Sequence, residues 1–151
     1  MASRGYCVVP EAARMIIEEE RIKGSDILPS KNLGAFQLAV VERQLDMEKK
    51  ALGEIIFYDR GIIDGYVYCK LGNVPVPQLI LENARGRYDK VFFLESLGTY
   101  IEDGIRSRTF EDAVKIHSAI EAAYREFGYD LVVVPVLPPE QRVDFILNSI
   151  K

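Results

Sequence analysis

Four short apolar runs, at residues 6–9, 54–58, 90–94 and 131–135, constrain this chain more than any other feature. Each is continuous in apolar character where a half-exposed strand would alternate, which is the pattern of strands covered on both faces. Stretches with helical spacing separate them, so the order reads β-α-α-β-α-β-α-β-α. That order favours a parallel sheet covered by helices, an α/β fold.

The helices are signalled by their ends. Residues 11–22 follow Pro10, and residues 31–52 stop at Gly53, a residue that tolerates the left-handed position after a helix. Phe110, Ala113, Val114, His117, Ile120, Tyr124 and Phe127 recur at spacings of three and four before Gly128, which predicts an amphipathic helix over 110–127. A last helix over 140–150 places Val143, Ile146, Leu147 and Ile150 on one face after Pro138-Pro139. No internal repeat, low-complexity run or linker interrupts the 151 residues, which read as a single domain, 1–151.

Ala2-Ser3-Arg4-Gly5, ahead of the first strand, reads as the last turn of a helix with its glycine cap. A doubly wound nucleotide-binding unit opens with a strand, a glycine-rich turn and a helix, and only the end of that helix would stand here. Neither G-x-x-x-x-G-K-[ST] nor G-x-G-x-x-G occurs in the sequence.

Charge and cysteine usage exclude several functions. A net charge of −4 argues against affinity supplied by a basic face on nucleic-acid phosphates. Cys7 and Cys69 stand far apart without a second ligand at metal spacing, and read as buried or inert thiols of a reducing compartment, by default the cytoplasm. No apolar window approaches the 18 residues that a membrane span needs.

The best site signal is Asp59-Arg60-Gly61, directly after the second strand, where parallel α/β sheets place ligands. A carboxylate there can hold magnesium through water or accept a proton from a hydroxyl, while Arg60 can meet a phosphate or another carboxylate. Asp64 falls in the first turn of the next helix. The plain alternative is a turn closed by Asp59, with Asp64 stabilising a helix N-terminus. Glu11 and Arg14 follow the first strand in the same way, and read either as crevice residues or as an ordinary surface pair. Leu33, Phe36, Val40 and Met47 mark an inward face on the second long helix, yet Gln37 and Gln44 lie on or beside it. Their amides hydrogen-bond either a polar ligand or, more commonly, neighbouring backbone. Arg43 reads as solvated. Asp103-Gly104-Ile105-Arg106-Ser107-Arg108 suits either a phosphate-closing segment or a solvated loop, with Thr109 as a helix cap. His117, on an apolar face, reads as a packed core residue.

Taken together, Arg4-Gly5-Tyr6-x-Val8-Val9-Pro10-Glu11-Ala12-Ala13-Arg14, then Phe36-Gln37 with Glu42-Arg43-Gln44, then Asp59-Arg60-Gly61-x-x-Asp64-Gly65, resemble the predicted AAA-type ATPases of the P-loop superfamily. Arg87-Tyr88-Asp89-x-Val91-Phe92, Tyr124-Arg125-Glu126-Phe127-Gly128-Tyr129 and Val133-x-Pro135 extend the match over essentially the whole chain. Asp103-Gly104-x-Arg106 also looks like the lid of a relative, the ribosylnicotinamide-kinase domain.

The resemblance implies a three-layer P-loop-kinase-like fold that binds ATP with magnesium, its first strand and phosphate loop N-terminal to the segment seen here. It further implies Asp59 as magnesium ligand or base, Arg106 and Arg108 over the phosphates, and Glu11, Arg14, Gln44, Arg60 and Asp64 toward a small-molecule acceptor. Without the phosphate loop most of the preorganised electrostatics for phosphoryl transfer are lost. A second expectation is therefore a non-catalytic binding module that keeps the acceptor pocket. The absent strand would lie between residues 54–58 and 90–94 and leave unpaired edges open to self-association. A third is a shared fold with an unrelated function.

Overall fold

A computed structural model describes residues 1–97 and 109–151. They form two compact units, Met1–Ala84 and Arg85–Lys151.

The first unit begins with a 3-10 turn, Ala2–Arg4, closed by Gly5 in the left-handed conformation (φ 84°), so the expected glycine stop is present on a tighter turn than an α-helix. Strand β1 (Cys7–Val9) leads into helix α1 (Ala12–Lys23), which ends at Gly24 with φ 68°. Helix α2 (Leu33–Lys50) follows, started by Asn32, whose side chain accepts a hydrogen bond from the Ala35 N–H at 3.1 Å. It is shorter than the expected 31–52: the chain is already extended at Ala51 (φ −67°, ψ 134°), so the stop precedes Gly53. Strand β2 (Ile56–Tyr58) then pairs parallel with β1. The single helix expected between the second and third strands is two, α3 (Ile62–Leu71) and α4 (Gln78–Asn83), because Pro75 and Pro77 forbid a continuous helix across the gap. Val41, Ile62 and Ile80 form the centre of this unit, with Leu45, Tyr66, Val76 and Leu79 packed on it. Full burial of a side chain such as Ile63 or Ile80 contributes about 1.5–3 kcal/mol.

In the second unit, β3 (Val91–Leu94) pairs parallel with β4 (Leu131–Val134), and α5 (Phe110–Glu126) and α6 (Pro139–Ser149) pack against β4. Thr109 caps α5 as expected, in a reciprocal capping box with Asp112. The apolar face of α5 is only partly covered: Ile120 and Tyr124 are buried, whereas Phe110 and Val114 in its first turns are exposed. His117 packs its ring on Phe93, centroids 4.4 Å apart, in line with a packing role.

The α/β class with short parallel strands is as the sequence implied. Among the described residues the four strands form two separate two-stranded sheets, β1-β2 and β3-β4.

Candidate functional site

Parallel pairing of β1 with β2 sets Val9 opposite Tyr58. One more backbone bond extends the ladder past the strand ends: the Asp59 N–H donates to the Val9 carbonyl at 2.9 Å. Pro10-Glu11 and Asp59-Arg60-Gly61 therefore leave the sheet side by side at its carboxyl edge. Glu11 is the N-cap of α1 and lies 4.0 Å from the Arg14 Nε, one helical turn away. Glu11 is largely buried and Arg14 more open to solvent.

Arg60 has φ 77°, a left-handed conformation uncommon for a residue with a side chain. It turns the chain sharply so that Gly61, extended, can start α3. The Asp64 N–H donates to the Gly61 carbonyl at 3.1 Å, and the Asp64 carboxylate, 8% exposed in the first turn, meets the Arg60 guanidinium at 3.3 Å. Asp64 thus has both a partner and a favourable helix-dipole position.

Helix α2 braces this turn. The buried Gln44 amide donates to the Glu48 carboxylate at 3.0 Å and to the Arg60 carbonyl at 3.2 Å, so its bonds go to neighbouring protein groups. Gln37, two turns earlier, is 3% exposed, and its Oε1 lies against Gly65 of α3, only 3.0 Å from where a Cβ would stand. Arg43 is not simply solvated: it grips Glu19 of α1 with two bonds of 2.9 and 2.8 Å. That bidentate hydrogen bond holds the Glu19 carboxyl below its ordinary range and raises the Arg43 guanidinium above its own.

Asp59, Arg60, Asp64 and Gln44 are thus brought together around one turn, with Glu11 and Arg14 on the adjoining strand exit. Arg106 and Arg108 lie outside the described residues. No group of three metal-capable side chains occurs among the described residues. Asp59 is exposed, and a single carboxylate is the donor set that magnesium accepts when water and phosphates supply its other ligands. A cleft of about 470 Å³ lies elsewhere, at the amino ends of β1 and β2, lined by Gly5, Tyr6, Cys7 and residues 52–55. Its one charged lining residue is Glu54, whereas the carboxyl edge carries Glu11, Asp59, Arg60 and Asp64.

Glu48 was not singled out in the sequence, although Gln44-x-x-x-Glu48 has the one-turn spacing that places two side chains together on a helix. The left-handed Arg60 has no comparable signal, because the residue type most suited to that conformation, glycine, stands next to it.

Among the described residues no helix is long and apolar enough to cross a membrane. No curated protein and no solved structure matches the chain. A family model described as AAA domain matches residues 1–142, a span that runs from the turn before β1 into the first turn of α6 and contains both strand exits. Nearly all of the fold and every residue of the carboxyl edge thus fall within one family pattern, and the chain belongs to the AAA domain family, a P-loop NTPase-like family.

Proposed function

We propose that this chain binds ATP with magnesium and supports phosphoryl transfer to a small-molecule acceptor, as a three-layer P-loop-kinase-like domain. The observation that carries the reading is the bond from the Asp59 N–H to the Val9 carbonyl, which brings the two acidic strand exits, Glu11 and Asp59, to one edge. Asp59 would hold magnesium through water, or take the proton of an acceptor hydroxyl. Bound magnesium would supply positive charge to the phosphates. Arg60 and Asp64, locked together, orient the turn, and Glu11, Arg14 and Gln44 line the acceptor side. Arg106 and Arg108 keep the phosphate-covering role that the family resemblance gives them. The 151 residues contain no G-x-x-x-x-G-K-[ST], so by this reading they transfer phosphate weakly on their own.

Calorimetric titration of Mg-ATP into this chain, and into a version extended by the codons upstream of Met1, tests the reading. Micromolar binding by either form, weakened at least tenfold by Asp59→Asn, supports it. Absence of binding by both overturns it.

A second reading is a non-catalytic association module. It is favoured by the small size of the two parallel sheets among the described residues, two strands each, since further strands stabilise a sheet so narrow. Light scattering across a hundredfold range of concentration separates the two: a monomer throughout that still binds Mg-ATP removes the second.

A further inference from the structure

Two anchors bracket Asp59. On one side its own N–H donates to the Val9 carbonyl at 2.9 Å, and on the other the Arg60 carbonyl accepts from Gln44 at 3.2 Å. Between these points the chain has only the backbone torsions of Asp59 and Arg60 to adjust. Arg60 stands at φ 77°, a value that a residue with a side chain leaves unless it is held. The direction of the Asp59 carboxylate is therefore set by the second anchor as much as by the first.

The second anchor is a side chain whose orientation has to be chosen. An amide carries a donor at one end and an acceptor at the other, in nearly the same volume. Turned over, Gln44 would set its oxygen against the Arg60 carbonyl and the bond would be lost. One helical turn on stands Glu48, 8% exposed, whose carboxylate accepts from the same Gln44 nitrogen at 3.0 Å. That nitrogen has two hydrogens, one for each of these acceptors. A carboxylate repels the oxygen end of the amide and attracts its nitrogen, so Glu48 selects the orientation that serves the turn. The helix is itself fixed one residue earlier, where Arg43 holds Glu19 of α1 by two bonds. A carboxylate at a buried helix position costs more than an apolar side chain would, so packing alone does not account for Glu48.

We propose that Glu48 is a positioning residue: through Gln44 it fixes the turn at Arg60, and with it the direction of the Asp59 carboxylate. The inference rests on the reading of Asp59 as the group that holds magnesium or takes a proton. Glu48 touches neither metal nor acceptor in this role and acts only by choosing which end of the Gln44 amide meets the Arg60 carbonyl.

The test compares the whole chain with Glu48→Leu, Glu48→Gln and Gln44→Leu by NMR. One readout is the NOE between the amide and α protons of Arg60, intense at positive φ, and the other is the Asp59 carboxyl-carbon signal during titration with magnesium chloride alone. Glu48→Leu is expected to weaken the NOE at least half as much as Gln44→Leu does, and to weaken magnesium binding at Asp59 at least threefold. Glu48→Gln, whose side-chain oxygen still accepts from Gln44, is expected to restore both. Glu48→Ala removes the acceptor without adding volume and is read in the same way, so a poor fit of leucine does not stop the test. An Arg60 NOE at wild-type intensity in the leucine and alanine variants overturns the proposal, whatever their melting temperatures, as does a loss in Glu48→Gln equal to theirs. A wild-type Asp59 signal unmoved by magnesium counts against Asp59 as its ligand, whereas the NOE comparison alone decides the role of Glu48.

Discussion

The Gln44 side-chain nitrogen lies 3.2 Å from the carbonyl oxygen of Arg60, and this single bond ties helix α2 to the turn that follows β2. The same nitrogen also reaches Glu48, so one amide serves a backbone acceptor and a buried carboxylate. Replacement of Gln44 by Leu keeps the volume and removes both bonds. Destabilisation of about 1–3 kcal/mol is expected, because Glu48 is left buried without that donor. Urea denaturation followed by circular dichroism measures it, and an unchanged midpoint would show that the brace contributes nothing.

Arg60 gives a test of backbone conformation. At φ 77° an alanine retains the steric penalty that glycine escapes. Both Arg60→Ala and Arg60→Gly remove the ion pair with Asp64, so their difference isolates the turn. The glycine variant is expected to be the more stable by about 1 kcal/mol. Equal stability of the two would mean that the turn relaxes to negative φ once the arginine is gone.

Glu19 and Arg43 set a pH dependence whose sign is determined. The bidentate hydrogen bond lowers the Glu19 carboxyl from its ordinary 4.5, so the folded protein binds that proton less well than the unfolded chain. The contribution is present above 4.5 and is lost as pH falls through the lowered folded value. The stability gap between wild type and Arg43→Ala is therefore widest near neutrality and closes in acid. Denaturation curves at pH 7 and pH 3 test this, and a gap that widens in acid would contradict it. Both side chains are more than a third open to solvent, so the gap is small.

The two thiols are expected to behave differently. Cys69 is fully buried, and burial pushes its thiol above the ordinary value, whereas Cys7 is half-buried and lines the amino-end cleft. Iodoacetamide labelling followed by peptide mapping is expected to modify Cys7 in the native protein and Cys69 only after unfolding. Comparable native rates would refute the assignment. The raised Cys69 value also predicts falling stability as pH rises above 9.0, because only the unfolded chain then gives up that proton readily.

The strands were legible because their apolar runs are continuous: all four fall within the runs read from sequence, at Cys7–Val9, Ile56–Tyr58, Val91–Leu94 and Leu131–Val134. The break between α3 and α4 is encoded by Pro75 and Pro77, which stand between the two helices. Asp59, Arg60 and Asp64 were legible as a group from their place after a strand. Their mutual arrangement was not, because the left-handed turn at Arg60 and the reach of Gln44 depend on the packing of α2 against α3. Arg43 escaped for a similar reason: its partner, Glu19, is 24 residues away, and no local pattern announces a long-range ion pair.

The last rung between β1 and β2, from the Asp59 N–H to the Val9 carbonyl, is made by main-chain atoms alone. Any residue except proline at position 59 retains it, as does any residue at position 9. Where the two strand exits meet is therefore inherited separately from what they carry. Sequence drift at this edge changes its chemistry before it changes its position, so descendants of one ancestor can exchange one reaction for another while the scaffold beneath stays in register.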